Sequence, residues 1–188
     1  MRIIGGEHGR RRISPPANMP HTRPTTDVAK EGLFNVISNN LDIEELKTLD
    51  LFGGTGSISY ELASRGAKDL TIIEKDPKMY EFIKKTAGEL KLENFKVLKL
   101  DVFKFIEQCA DKFDFIFAGP PYALGNIDDL PKLIFEKQLL NSKGWFVLEH
   151  TPRNDYKKFP FYATERNYGT TIFSIFIENR EQMIVDRW

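Results

Sequence analysis

Two short segments hold the residues best suited to chemistry. Asp50-Leu51-Phe52-Gly53-Gly54-Thr55-Gly56 puts a carboxylate just ahead of three glycines, and Gly119-Pro120-Pro121-Tyr122 puts two prolines ahead of an aromatic. Glycines let a backbone take positive φ and pass close to a bound molecule. Two prolines stiffen a loop and remove two N–H donors, leaving carbonyl acceptors. Acceptors beside a flat ring suit an exocyclic amine of a nucleobase. Such an amine is a poor nucleophile because its lone pair is conjugated with the ring. Hydrogen-bond acceptors on its protons draw the nitrogen toward tetrahedral geometry. The Pro120 carbonyl would supply one acceptor and Tyr122 would stack on the base. The base itself must be unpaired or flipped out of its stack, at a cost of a few kcal/mol.

The elements that carry these segments alternate. Residues 48–52, 70–74, 95–100, 113–118 and 144–149 read as strands, and 58–64, 77–90, 102–109 and 127–139 as helices between them. An earlier helix follows a cap at Thr26 or Asp27, with Val28, Leu33, Phe34 and Ile37 at helical spacing. Residues 159–166 and 171–178 form a closing hairpin around Asn167-Tyr168-Gly169. Alternating strands and helices predict an α/β, Rossmann-like parallel sheet covered on both faces, with an antiparallel strand added by the hairpin. Three segments are expected: a basic arm over 1–26, the main domain over 27–178, and a tail over 179–188. Within the arm, Arg2-Ile3-Ile4 and Arg11-Arg12-Ile13 would pair across a turn at Glu7-His8-Gly9.

Ligands of open parallel sheets sit at the carboxyl ends of strands, where strand order reverses. Gly53, Gly54 and Gly56 follow the first strand there. The segment lacks the third glycine of a dinucleotide fingerprint, since Ser59 holds that position, and it lacks the lysine of a P-loop. With no pyrophosphate to cradle, S-adenosylmethionine fits better than NAD. Glu74 at the end of the second strand would take the ribose hydroxyls. Asp101 at the end of the third would take the adenine amine, with the Val102 N–H on a ring nitrogen. Asp50 would meet the methionine ammonium. Phe52, Lys75, Arg23 and Thr25 complete the candidate cofactor set. Asp76, just before Pro77, reads as a helix cap.

Composition bounds the rest. A chain of 188 residues that is 41% hydrophobic can bury one substantial core. The formal net charge is zero, yet it is unevenly spread: five arginines against Glu7 give residues 1–26 a charge of +4, leaving −4 on the other 162. A basic arm on an acidic body is the asymmetry of a local phosphate-binding surface. Arg2, Arg10, Arg11 and Arg12 are the candidate RNA contacts, on a mobile hairpin. The lone Cys109 excludes an intramolecular disulfide and a multi-cysteine zinc site. It reads as a packed helix residue. His21 and His150 lack metal-ligand company, and no metal is expected. No apolar run approaches the roughly 20 residues of a membrane span. The expected setting is the cytoplasm.

The chain resembles bacterial 16S rRNA guanine-N2 methyltransferases of the RsmD type over residues 1–178. The carrying segments are Met1-Arg2-Ile3-Ile4-Gly5-Gly6, Thr22-Arg23-Pro24-Thr25-Thr26-Asp27, Lys30-Glu31-Gly32-Leu33-Phe34-Asn35, the glycine segment from Leu49, Ser64-Arg65-Gly66-Ala67 and Pro120-Pro121-Tyr122. The resemblance implies the seven-stranded class I S-adenosylmethionine-dependent methyltransferase fold. It implies methylation of one guanine N2 in small-subunit 16S rRNA, within an assembling subunit, by a monomer whose arm and Arg23 loop face RNA and cofactor. One departure is serious: Gly119 stands where the family has Asp, Asn or Ser. The missing side chain would be the second acceptor for the amine, and losing such a group costs about 10²–10³ in rate.

Three readings of Gly119 stay open. Water or another acceptor replaces the lost side chain; or the chain is a non-catalytic RNA-binding relative that keeps the cofactor fold; or the position is altered in this chain. A DNA amino-methyltransferase is a further alternative. If the missing acceptor limits the rate, Gly119→Asp should raise it.

Overall fold

The computed structural model describes residues 1–18 and 25–178. Arg23, His21 and the tail over 179–188 lie outside the described residues. Five parallel strands and a C-terminal antiparallel pair make one seven-stranded sheet, in the order β3-β2-β1-β4-β5-β7-β6. The strands are β1 (Lys47–Asp50), β2 (Asp69–Ile73), β3 (Phe95–Leu98), β4 (Phe113–Ala118), β5 (Leu140–His150), β6 (Tyr162–Tyr168) and β7 (Thr171–Ile177). The helices are α1 (Asp27–Asn40), α2 (Ser57–Ser64), α3 (Pro77–Glu89), α4 (Val102–Gln108) and α5 (Asp129–Glu136). Strand order reverses between β1 and β4, so a crevice opens where their carboxyl ends diverge.

Alternation along each strand divides the core into two layers. In β4, Phe115 and Phe117 pack with α1, α2 and α3 residues such as Leu33, Ile58 and Ile83, while Ile116 and Ala118 join Ile106 of α4 and Ile134 of α5 on the other face. Each of these side chains is buried, and burial of a Leu, Ile or Phe contributes roughly 1.5–3 kcal/mol. That is why β1 and β4 hold fixed positions.

Several boundaries differ from expectation for local reasons. Thr26 caps α1 by accepting the Ala29 N–H, as its position before the helix suggests. Leu33, Phe34 and Ile37 face inward as expected, but Val28 is 70% exposed and Ala29 and Lys30 are buried in the first turn. A buried lysine thus occupies a place that periodicity assigned to valine. The α5 helix is shorter than expected, with the chain leaving helical geometry by Gln138, at φ +52°. β5 starts earlier, at Leu140. β6 starts later, because residues 159–161 turn and Phe161 has positive φ. The closing hairpin pairs Tyr168 with Thr171, so its loop is Gly169-Thr170, one residue beyond the expected turn centre. Cys109 is the C-cap of α4 and half-buried rather than within the helix. Burial raises its thiol pKa, so it is no activated nucleophile.

The arm forms the expected hairpin, with Arg2 bridging Arg12 and Ile3 exchanging backbone bonds with Arg10 and Arg11. It does not stand free. Glu61 of α2 is fully buried and accepts the Ile4 and Gly5 N–H groups at 2.7 and 2.9 Å. The same carboxylate meets Arg65 at 2.9 Å and Lys30 at 3.6 Å. At Gly6, a side chain would lie 1.8 Å from the Ser64 carbonyl, and φ is +74°. Only glycine lets the arm close this tightly on the end of α2.

Candidate active site

The site is assembled from strand ends. Asp50, the last residue of β1, is 3% exposed. Its Oδ2 accepts the Ser59 hydroxyl at 2.9 Å, while Oδ1 is buried without a hydrogen-bond partner. Burial pushes this carboxyl up to about 7. The Ser59 hydroxyl and the Phe52 N–H favour the charged form without offsetting burial, and the charges of Glu74 and Glu149 add to the rise. A buried carboxylate oxygen lacking a partner is a place where a cationic group would be stabilised.

The glycine loop leaves β1 and enters α2. Gly56 caps α2 at φ +80°, a left-handed conformation, and a side chain there would lie 2.4 Å from the Tyr60 ring. A side chain on Gly53 would meet Ile72 at 2.7 Å and Ile83 at 3.0 Å. The reason for these two glycines is therefore packing of the protein on itself, beyond any approach to a ligand. Phe52 is half-buried and packs on the layer that holds α4 and α5.

Glu74 follows β2. Its Oε2 accepts the Gly54 N–H and its Oε1 the Asp76 N–H, both at 2.7 Å. It clasps the glycine loop to the entry of α3. A carboxylate has about four acceptor positions, so with the Lys75 N–H also turned to it capacity is left for a hydroxyl donor. Burial raises its pKa. Asp76 caps α3 through Met79, as its position before Pro77 suggests. Asp101 is also a cap: Oδ1 accepts the Phe103 and Lys104 N–H groups at 3.0 and 3.4 Å. Its Oδ2 lies 4.0 Å from the exposed Lys75 ammonium. Val102 is buried in the first turn of α4.

Gly119-Pro120-Pro121-Tyr122 leaves β4 beside the end of β5, all peptides being trans. The Pro121 carbonyl accepts the Leu124 N–H, so of the two proline carbonyls this one closes a turn. Tyr122 is 37% exposed, and its hydroxyl donates to Glu149 Oε1 at 3.3 Å.

Glu149 is the residue that motif reading missed. It is 4% exposed and sits one position past Leu148, which pairs with Ala118. Gly119 and Glu149 are therefore neighbours across β4 and β5. Glu149 Oε2 also accepts the Thr25 hydroxyl at 2.6 Å, so Thr25 stands on this side of the site. The available signal was an acid closing the apolar run Trp145-Phe146-Val147-Leu148, the same pattern that marked Asp50 and Glu74.

His150 is structural. Its Nδ1 donates to the Thr151 carbonyl, leaving Nε2 to accept the Ser174 hydroxyl, and burial lowers its pKa. Arg2, Arg10, Arg11 and Arg12 are all exposed on the arm. Arg2 pairs with Asp27 at 2.9 Å. Arg11 and Arg12 line a cleft of about 530 Å³ between arm and α3, with Lys85 on its opposite wall. Among the described residues no His, Cys, Asp or Glu group could hold a metal, and no helix is long and apolar enough to cross a membrane.

This arrangement agrees with comparisons to known proteins. The family model described as Conserved hypothetical protein 95 matches residues 1–177. The chain is 34% identical to the putative rRNA methyltransferase YlbH of Bacillus subtilis, over 80% of this chain and 82% of that one. It is 32% identical to ribosomal RNA small subunit methyltransferase D of Escherichia coli K12, over 79% of this chain and 71% of that one. The solved structure of the putative methyltransferase yhhF from Escherichia coli superposes with a TM-score of 0.80 at 26% identity, covering 94% of this chain and 97% of that one. The sheet is thus the Rossmann-like sheet of class I methyltransferases. Matched from its first residue through β7, the protein belongs to the conserved hypothetical protein 95 family, that of the small-subunit ribosomal RNA methyltransferases D.

Proposed function

We propose that the protein is an S-adenosylmethionine-dependent methyltransferase acting on the exocyclic N2 amine of a guanine in small-subunit ribosomal RNA. One observation carries the reading. A buried acid at the end of β1 and a partly exposed one just after β2 lie on one side of the strand-order reversal, and a Pro-Pro-Tyr segment lies on the other. Cofactor and base would therefore meet over the β1–β4 crevice.

The residues present fit the cofactor. Asp50 Oδ1 offers an unpartnered buried acceptor to the ammonium, and Glu74 keeps acceptor capacity for a ribose hydroxyl. Asp101, Val102, Phe52, Lys75, Gly53, Gly54 and Gly56 border the same strand ends, and Arg23 and Thr25 are the further cofactor contacts in this reading. When bound, the cofactor supplies a sulfonium methyl that is displaced in line.

This chain's own residues do the rest. Tyr122 stacks on the flipped guanine and the Pro120 carbonyl orients its amine. The basic arm over 1–26 holds phosphates through Arg2, Arg10, Arg11 and Arg12, while residues 27–178 carry out the transfer. The protein works as a monomer in the cytoplasm, on RNA within an assembling subunit.

The test is methyl transfer from labelled S-adenosylmethionine to small-subunit particles lacking the modification, followed by nucleoside digestion. Label on guanine N2 supports the reading. Cofactor binding without label on any nucleoside would favour a non-catalytic RNA-binding protein. Label on DNA adenine or cytosine would move the substrate class.

A further inference from the structure

The cleft between the arm and α3 has walls of separate origin that carry the same charge. Arg11, Arg12 and Ile13 of the arm form one wall. Phe82, Lys85 and Glu89 form the other, and their spacing of three and four residues puts them on one face of α3. The cleft volume of about 530 Å³ falls among sites that hold a small ligand, roughly 300–1,000 Å³. Three cations against the single acid Glu89 leave its lining a net charge of +2.

The cleft is preformed. Ile13 of the arm and Leu90, which ends α3, belong to the same buried apolar layer. The other end of the arm is held to α2 by the Glu61 carboxylate. The cations are also at hand. Among the described residues Arg11 and Arg12 pair with no acid, whereas Arg2 is taken up by Asp27. Lys85 meets Glu89 at 3.8 Å, but both side chains are mostly exposed and the lysine precedes the glutamate, the weaker order on a helix.

We propose that this cleft is a second RNA subsite, which clasps one unpaired nucleotide of the substrate RNA outside the target: Arg11 and Arg12 take its phosphate from the arm, Lys85 takes it from α3, and the base lies on Phe82. The choice of RNA as ligand rests on the methyl-transfer reading above.

The chemistry of the walls favours this occupant. Guanidinium forks match phosphate oxygens in pairs, and the lysine adds a point charge from the opposite side. Phe82 is half-buried and lines the cleft, so part of its ring is open to a ligand. Base–aromatic stacking needs an exposed base face, which an unpaired nucleotide has and a duplex lacks. An acidic peptide would use the cations and leave the ring unused. Lys85 stands eight residues beyond Pro77, about 12 Å along α3 from the Glu74 end. The clasped nucleotide is therefore a neighbour of the target, which meets Pro-Pro-Tyr on the far side of β1.

The experiment measures binding of unmodified small-subunit particles, and of their RNA freed of protein, over a series of salt concentrations. Parent, Lys85→Gln, Glu89→Gln, Phe82→Leu and Lys84→Gln are compared. Cofactor affinity and labelled methyl transfer are recorded for each. Lys85→Gln should weaken binding about fivefold. It should also flatten the slope of log K against log salt by about 0.7–0.9. Glu89→Gln should tighten binding about threefold, a gain that damage to the fold would not give. Phe82→Leu should weaken binding at least fivefold with the slope unchanged, because stacking is lost and no charge is. Lys84→Gln is the control, since its ammonium lies over the Tyr80 ring outside the cleft. It should shift neither quantity by half as much as Lys85→Gln. Equal slopes for Lys85→Gln and the parent overturn the inference, as does a Phe82→Leu affinity within twofold of the parent. A Lys85→Gln effect on particles that vanishes on the free RNA overturns it too, in favour of an acidic protein surface. No label from the parent overturns the methyl-transfer reading, whatever the slopes.

Discussion

Thr25 donates its hydroxyl to Glu149 at 2.6 Å across 124 positions of sequence. Thr25, just ahead of α1, is thereby tied to the end of β5 beside Gly119. Thr25→Val keeps the shape and removes the donor. It should lower kcat/KM for methyl transfer by roughly tenfold, the loss of about one hydrogen bond at the site. Net stability should fall by about 1 kcal/mol, the usual worth of one hydrogen bond. Thr25→Ser should restore both. Equal rates for the valine and parent proteins would show that this tie does not shape the site.

Asp50 gives a pH dependence of defined sign. Its folded carboxyl titrates at about 7, above the ordinary unfolded carboxylate. The folded state therefore holds more protons across that interval. The stability this contributes is fully present below the unfolded value and is lost as pH rises through 7. Nearly all of the loss falls between about pH 4 and pH 7, and the slope fades above about pH 8. Denaturant titrations of the parent against Asp50→Asn over this range should show the slope only in the parent. Saturating S-adenosylmethionine should flatten it, because a cation beside Oδ1 favours the ionised form.

Glu61 is the hub that holds the arm. It is fully buried and engages Ile4, Gly5, Lys30 and Arg65 at once. Glu61→Ala leaves Lys30, itself 1% exposed, as a buried cation without its carboxylate. Breaking a buried pair in this way costs about 3–5 kcal/mol. Urea denaturation of the variant should show a midpoint shift of that size. A shift below 1 kcal/mol would mean that the arm is held by its apolar contacts alone.

The arm should also set the salt dependence of RNA binding. Each phosphate that the protein no longer neutralises flattens the slope of log K against log salt by about 0.7–0.9. Replacing Arg10, Arg11 and Arg12 by Gln should flatten it by roughly two units. An unchanged slope would take these arginines out of the RNA interface.

Much of the fold is legible in the sequence because strands in a parallel sheet are short, apolar and punctuated. β1, β2 and β4 all announce their ends with an acid or a glycine. The Asp76 cap and the arm hairpin follow from local chemistry alone. What is not legible depends on tertiary contact. Val28 fits the helical period, yet Lys30 is buried in its stead because Glu61, from another helix, offers it a charge. The start of β6 is hidden because Phe159 and Phe161 are apolar without being in a strand. They pack in the layer around Phe176 and Phe135 from a turn. Glu149 escapes motif reading because it has no motif around it. Its place beside Gly119 exists only once β4 and β5 are paired.

The arm grips the last turn of α2, and the glycine loop opens onto its first. Eight residues separate the two ends, a rise of about 12 Å. Whatever the arginines touch is thus held at a set span from the carboxylates of the β1 end, with a short rod as the gauge. An inserted residue in this helix would turn one end about 100° against the other. Under the proposed function, such an insertion would leave both binding surfaces chemically whole and still mismatch them, so that RNA and methyl donor bind in the same protein without meeting.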